Sequence, residues 1–430
     1  MPSVTIQGAG SVYPTLMARR NVAIARQAGA IISAAIANGS AVVTVTGGGT
    51  APTPPTNPAL LVVKTSSQLN LAIPAAYPYI VVGDNPAPVT LSGGGASNEA
   101  VVIGTGSVQI YTGGGSGTIA GGDGDKGINL GATTGFAVYT GAGHDTIDLR
   151  QSQGGSRSTV EAGAGINVFG NTGTLIQPGN TVLLGAGTTQ VSSTGSDSIT
   201  AGAGSATIQV VGPVQDTVVG AAGTLTVING TVSSQVNYSS ASNAPLSTGS
   251  VTALDGASGG NYRGGSNGNN LLVGGVGAVT LQGASNGDVL LAMGTTGMQL
   301  LYAGSGNETL LGSLSTTSNL FVAGTGNDVI FGGSGADTFV AGTGAATITA
   351  GTGADQFFFN ATSSAGAQIT ITDFNPGVDF VHLTNYGGSN NPGSLAAAAS
   401  WVGSGSRITL SDGTTITFQG VSSVTGGFFS

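Results

Sequence analysis

Between residues 323 and 359 the apolar positions fall in short runs, each closed by a glycine-rich turn. Val329-Ile330-Phe331 and Thr338-Phe339-Val340 are β-prone, and in such strands alternate side chains point to opposite faces. The segment reads AGTGNDVIFGGSGADTFVAGTGAATITAGTGADQFFF, four nine-residue units in one phase. Each opens on a Gly-x-Gly turn, and the sixth slots hold Asp328, Asp337, Ala346 and Asp355. Two units complete one coil, so Asp337 and Asp355, 18 positions apart, stack on one edge. A single unit cannot bury its apolar side, so the stack folds cooperatively. The pattern predicts an all-β chain, a right-handed parallel β-roll or β-helix solenoid with a small helical N-terminal region and a C-terminal β cap.

The rest of the chain divides around this segment. Residues 15–38 are expected to be helical, with Pro14 at the start, Asn38-Gly39 at the stop, and Leu16, Ile24, Ile31, Ile32 and Ile36 as the apolar stripe. Arg19, Arg20 and Arg26 would be either the solvated face of a capping helix or a contact for an acidic neighbouring surface, such as another subunit. Residues 41–46 alternate as a strand, and the Pro-rich residues 50–58 read as an extended linker. These make a region 1–58. Residues 59–240 form a degenerate solenoid block, in which Gly141-Ala142-Gly143-His144-Asp145 restores the full unit while Asn167 and Ala206 occupy the acidic slot elsewhere. The rhythm breaks in a junction at 241–263. Block 264–360 follows, with Asn270, Asp288, Glu308 and Asp328 expected along one edge and Asn319, Asp337 and Asp355 along the other. Residues 361–430 form the cap, where Asp412-Gly413 signals a hairpin turn.

Composition narrows the function. Charged residues are only 6 % and the chain carries 78 Gly, yet 40 % hydrophobic content and a mean hydropathy of +0.28 argue against disorder. A net charge of −9 makes nucleic acid a poor partner. No apolar run reaches the length of a membrane span. The absence of Cys suits an extracellular protein without disulfides. Residues 27–37, ending Ala35-Ile36-Ala37, imitate the end of a cleaved leader, but the strand-like residues 3–7 before them argue against cleavage.

The glycine and aspartate pattern resembles the RTX family, the calcium-binding nonapeptide repeats of secreted bacterial proteins. Calcium takes six to eight oxygen ligands. The turns offer peptide carbonyls and the sixth slot a carboxylate. The resemblance implies calcium as cofactor, with Gly324, Gly326 and Asp328, Gly333, Gly335 and Asp337, Gly342 and Gly344, and Gly351, Gly353 and Asp355 as the site. Asp288, Glu308 and Asp145 are weaker candidates, since Asp also caps turns without metal. ITITDFNPGVDFVHL resembles the segment that follows the repeats in serralysin-like proteins, so Asp373 and Asp379 either bind metal or cap the solenoid. The terminal hairpin and Phe428-Phe429 resemble the tail of type I secretion substrates.

Catalysis finds little support. His144 and His382 are the only histidines, and the G-x-S-x-G matches at 256–260 and 264–268 are expected by chance in a Gly/Ser-rich chain. The TVT and TIT fragments show no regular register that would build a threonine-lined binding face. The reading is therefore a non-enzymatic protein, secreted to the exterior or surface of a bacterium. It would fold on calcium and assemble as a homo-oligomer or polymer into a surface layer, fibre or biofilm matrix. The alternatives are a monomeric adhesin or carbohydrate-binding module with a cell-surface polysaccharide as partner, and a polysaccharide-degrading solenoid.

Overall fold

The computed structural model describes residues 22–430 apart from 94–98, 113–114, 131–132, 149–156, 171–178, 194–196, 211–214, 220–223, 230–234, 238–250, 256–259 and 267. Pro14, Leu16, Arg19, Arg20, the strand-like residues 3–7 and most of the junction therefore lie outside the described residues, as does the side chain of Asn167. The chain forms two compact units, divided between Thr224 and Leu225. Both are parallel β-solenoids: successive strands alternate between two sheets, and each strand pairs in parallel with the strand two places on.

In the first unit, helix α1 (Val22–Ala37) precedes the coils. Strand Ala41–Val45 pairs with Ala59–Val63 in register, and Gly49–Thr50 pairs with Leu69–Ile73 in the other sheet. The Pro-rich stretch expected as a linker is thus the turn of the first coil. Strand Ala59–Val63 is buried along its whole length because both of its faces are covered. Leu61 and Val63 point into the solenoid, while Leu60 and Val62 point outward against α1. Ala25, Ala28 and Ile32 of the helix pack on an outer column of Leu60, Val62, Val81, Ala100, Val102 and Ala120. Small residues in that column let the helix approach closely. Arg26 is on the exposed side of the helix.

The second unit reads as columns. One sheet stacks Leu272, Leu290, Leu310, Ile330, Ile348, Ile371 and Phe418 inward, all nearly inaccessible. The other stacks Leu281, Leu301, Phe321, Phe339, Phe357 and Val381. Three-residue strands suffice because each contributes one inward side chain, with burial running intermediate, buried, intermediate. Phe321, Phe339 and Phe357 lie face to face, with centroids 5.2 and 5.1 Å apart. Strands Val251–Leu254 and Asn261–Arg263, in the expected junction, also join these sheets.

At the C-terminus strand Thr415–Gln419 adds parallel to Gln368–Ile371 and antiparallel to Gly405–Thr409, whose hairpin turns at Asp412-Gly413 with Gly413 at φ +86°. Phe374, Phe418 and Phe428 close the end of the core, with centroids 4.9–5.5 Å apart. Register also brings Thr347, Thr370 and Thr417 into one row, so the TIT fragments do align over these coils. Among the described residues no helix is long and apolar enough to cross a membrane.

Candidate metal centre

The site is built from the turns. Gly324, Gly326, Gly342 and Gly344 stack where the chain enters one sheet, and Gly333, Gly335, Gly351 and Gly353 where it enters the other. A Cβ on any of them would lie between 1.5 and 2.7 Å from backbone atoms of the neighbouring coil. At Gly326 the atom met is the carbonyl oxygen of Gly306. Only glycine permits this approach, and the approach brings the turn carbonyls of successive coils together along each edge.

The sixth-slot side chains point inward from these turns. Along one edge lie Asn270, Asp288, Glu308 and Asp328, each at most 2 % exposed. Asp288 accepts from Asn270 N (3.0 Å) with Oδ1 and from Ala284 N and Ser285 N (2.8 and 3.2 Å) with Oδ2. Asp328 accepts from Glu308 N (3.1 Å) and Gly324 N (2.8 Å). Glu308 differs: neither of its carboxyl oxygens has a hydrogen-bond partner, although both are buried. Burial pushes its carboxyl up to about 8, reinforced by the neighbouring carboxylates of Asp328 and Asp288.

Along the other edge run Gln299, Asn319, Asp337, Asp355 and Asp379. The same bond repeats: Asn319 N donates to Asp337 Oδ1 (2.7 Å), Asp337 N to Asp355 Oδ1 (2.8 Å), and Asp355 N to Asp379 Oδ1 (3.0 Å). Each acid therefore holds the backbone of the preceding coil. The second oxygens of Asp337 and Asp355 are buried without a partner. Burial pushes Asp337 up to about 6 and, with the charges of Asp379, Asp337 and Asp373 added, Asp355 up to about 7. Asp379 is raised by burial too, but its Oδ2 accepts from Asn375 N (2.8 Å). Asp373 turns outward to Ala350 N and Gly351 N (2.8 and 2.9 Å). Both Asp373 and Asp379 hold the end of the stack through hydrogen bonds.

Residues 264–294 and 315–348 match the family model of the RTX calcium-binding nonapeptide repeat, in four copies. The second unit carries RTX repeats. These repeats are calcium-binding, and calcium is the cofactor they bring. No curated protein matches the chain. The RTX match includes Asp288, Asp328 and Asp337 and leaves out Glu308 and Asp355, which only the stacking connects to it. The donor set fits calcium: buried carboxyl oxygens lacking partners, beside carbonyl-lined turns. Among the described residues no three His, Cys, Asp or Glu side chains gather, so any RTX site here combines one or two carboxylates with backbone oxygens.

The first unit repeats the same backbone ladder with altered chemistry. Asp145 is 1 % exposed, accepts from Lys126 N (3.0 Å), and leaves Oδ2 without a partner. Burial pushes it up to about 6. His144 is exposed and pairs with Asp125 at 3.4 Å. Sequence reasoning missed three further slot residues. Asn180 and Asp197 continue the backbone-capping bond, Ser158 N to Asn180 Oδ1 (3.0 Å) and Asn180 N to Asp197 Oδ1 (2.6 Å). Lys126 is the sixth residue of Gly121-Gly122-Asp123-Gly124-Asp125-Lys126. Counting slots from each Gly-x-Gly, whatever the slot residue, would have found Lys126.

Proposed function

We propose that this is a secreted, non-enzymatic structural protein whose RTX unit folds firmly only with calcium and then assembles with copies of itself. The buried carboxyl oxygens of Glu308, Asp337 and Asp355 carry this reading, because an unpartnered buried charge is costly. Calcium would supply the positive charge that these coils lack. Glu308, Asp337 and Asp355 would hold it with the turn carbonyls around Gly324, Gly326, Gly333, Gly335, Gly342, Gly344, Gly351 and Gly353. Asp288 and Asp328, already bonded through both oxygens, would mainly set the turns and lend remaining lone pairs.

A ligand bound by the folded state alone stabilises it by mass action. Extracellular calcium modules work at about 10⁻⁴–10⁻³ M. At the lower concentrations inside a cell such sites stay empty, which would keep the chain export-competent.

Assembly is supported by the outer faces of the second unit. Leu271 and Val329 are 38 % exposed and Phe331 39 %, in columns shared with Val289, Leu291 and Leu311. Contiguous apolar patches of this kind mark interaction surfaces. In the first unit an outward apolar column of one sheet is covered by α1.

Negative-stain electron microscopy in chelator and then in millimolar-range calcium tests the reading. Sheets or filaments are expected with calcium. Dispersed particles in both conditions would remove the assembly claim and turn attention to polysaccharide binding.

A further inference from the structure

Among the described residues Lys126 is the one basic residue in a sixth slot, and its surroundings are unusual for a lysine. The side chain is 1 % exposed. Its Nζ donates to three backbone carbonyls: Gly124 O at 2.7 Å, Gly106 O at 2.8 Å and Asp123 O at 3.0 Å. An ammonium has three N–H donors, so all are used. Two of the carbonyls belong to its own turn and the third to the coil before. Its backbone N–H makes the ladder bond to Asp145 Oδ1, as Asp337 N–H does to Asp355. The backbone thus keeps the slot geometry, while the side chain brings a cation where the acidic slots bring an anion.

We propose that the Lys126 ammonium is the resident cation of the turn at residues 121–126, in the place where an acidic RTX turn takes calcium, and that it frees these coils from the need for metal. The inference rests on the calcium reading of the acidic turns and extends it by saying which turns do not require it.

Two observations support the assignment. The carboxylates around Lys126, namely Asp145, Asp123 and Asp125, all favour its charged form, against the burial that lowers its pKa to about 8. A neutral version of the device occurs in the second unit. There Gln299, also in a slot, donates from Nε2 to the turn carbonyls of Gly275 and Gly277 while Oε1 accepts from Met293 N (3.0 Å). Side-chain N–H groups therefore satisfy turn oxygens where no acid stands in the slot.

Hydrogen exchange of the full chain, read at single amides with and without chelator, tests this in the unmodified protein. The amides of Val108, Gly124 and Lys126 should keep their protection when calcium is removed, while those of Asn319, Asp337 and Asp355 lose at least tenfold. Loss at Val108, Gly124 and Lys126 as well would overturn the lysine inference and leave the calcium reading standing. No loss at either set would overturn the calcium reading, and with it the comparison on which the lysine inference depends. Two variants sharpen the test. Lys126→Met should speed exchange at Val108 and Gly124 at least tenfold whether or not calcium is present. Lys126→Asp restores the acidic slot: protection at these amides should become calcium-dependent, and equilibrium dialysis should count one more bound calcium than in the unmodified chain. A Lys126→Met protein protected like the original, or a Lys126→Asp protein with no additional calcium, would refute the proposal.

Discussion

Asp355 shows how one residue serves two needs. Its Oδ1 fastens the backbone N–H of Asp337, and its Oδ2 is left buried and unpaired. Replacing it by Asn keeps an oxygen for the first bond and removes the charge from the second position. Asp355→Asn should therefore be more stable than the original in chelator at pH 8, because it no longer buries an unpaired charge there. It should also lose calcium-dependent stabilisation; thermal melts with and without calcium measure both. Asp337→Ala with Asp355→Ala removes the ladder bonds too, and should raise the calcium midpoint of a circular dichroism titration at least tenfold. An unchanged midpoint would remove both residues from the site. The pH dependence follows from the same groups. In the unfolded chain Asp titrates near 3.9 and Glu near 4.3. In the folded metal-free chain Asp337 stands at about 6, Asp355 at about 7 and Glu308 at about 8. Between these values the folded state binds more protons, so its stability falls as pH rises from about 4 to about 8 and is level outside that window. In chelator the second unit should thus melt higher at pH 5 than at pH 8. Calcium should reverse the order, because its binding requires the deprotonated carboxyls.

At the scale of the element, each short strand depends on its neighbours in the column. Phe339 stacks between Phe321 and Phe357 and is 1 % exposed. Phe339→Ala should cost about 3–5 kcal/mol, as large-to-small changes in cores do, and should lower the denaturation midpoint in calcium and in chelator alike. That distinguishes packing from metal binding. Helix α1 is bound to its sheet in the same way. Ile32 is fully buried in the cluster with Leu60, Val62 and Val102. An aspartate there would bury an unpaired charge, so Ile32→Asp should release the helix and expose the column beneath it. Increased binding of a hydrophobic dye, without change in calcium response, is the expected result.

For the whole molecule the question is what covers the outer faces of the second unit. Phe331 takes no part in the inner column, which passes through Ile330. Phe331→Glu should leave the calcium titration of folding unchanged and abolish calcium-induced sheets or filaments in the electron microscope. Continued assembly would show that another surface makes the contact.

The nonapeptide phase by itself determined the parallel stack, the inward columns and the acidic edges, because a two-unit coil leaves each residue one partner position above and below. Even the 20-residue steps around Glu308 were legible, since the runs after Asp288, Glu308 and Asp328 share one apolar pattern. The first coil was hidden because Pro-rich residues 50–58 imitate a spacer, and only the pairing of Ala41–Val45 with Ala59–Val63 reveals a turn. The packing of α1 depends on outward residues whose alternation looks like that of any buried strand. The division among acids was out of reach as well. Asp328 and Asp337 occupy identical slots, yet one has both oxygens bonded and the other leaves one unpaired. Sequence assigns a residue to its slot, but hydrogen-bond satisfaction depends on the donors that neighbouring coils bring within reach, and those are set only when the coils are stacked.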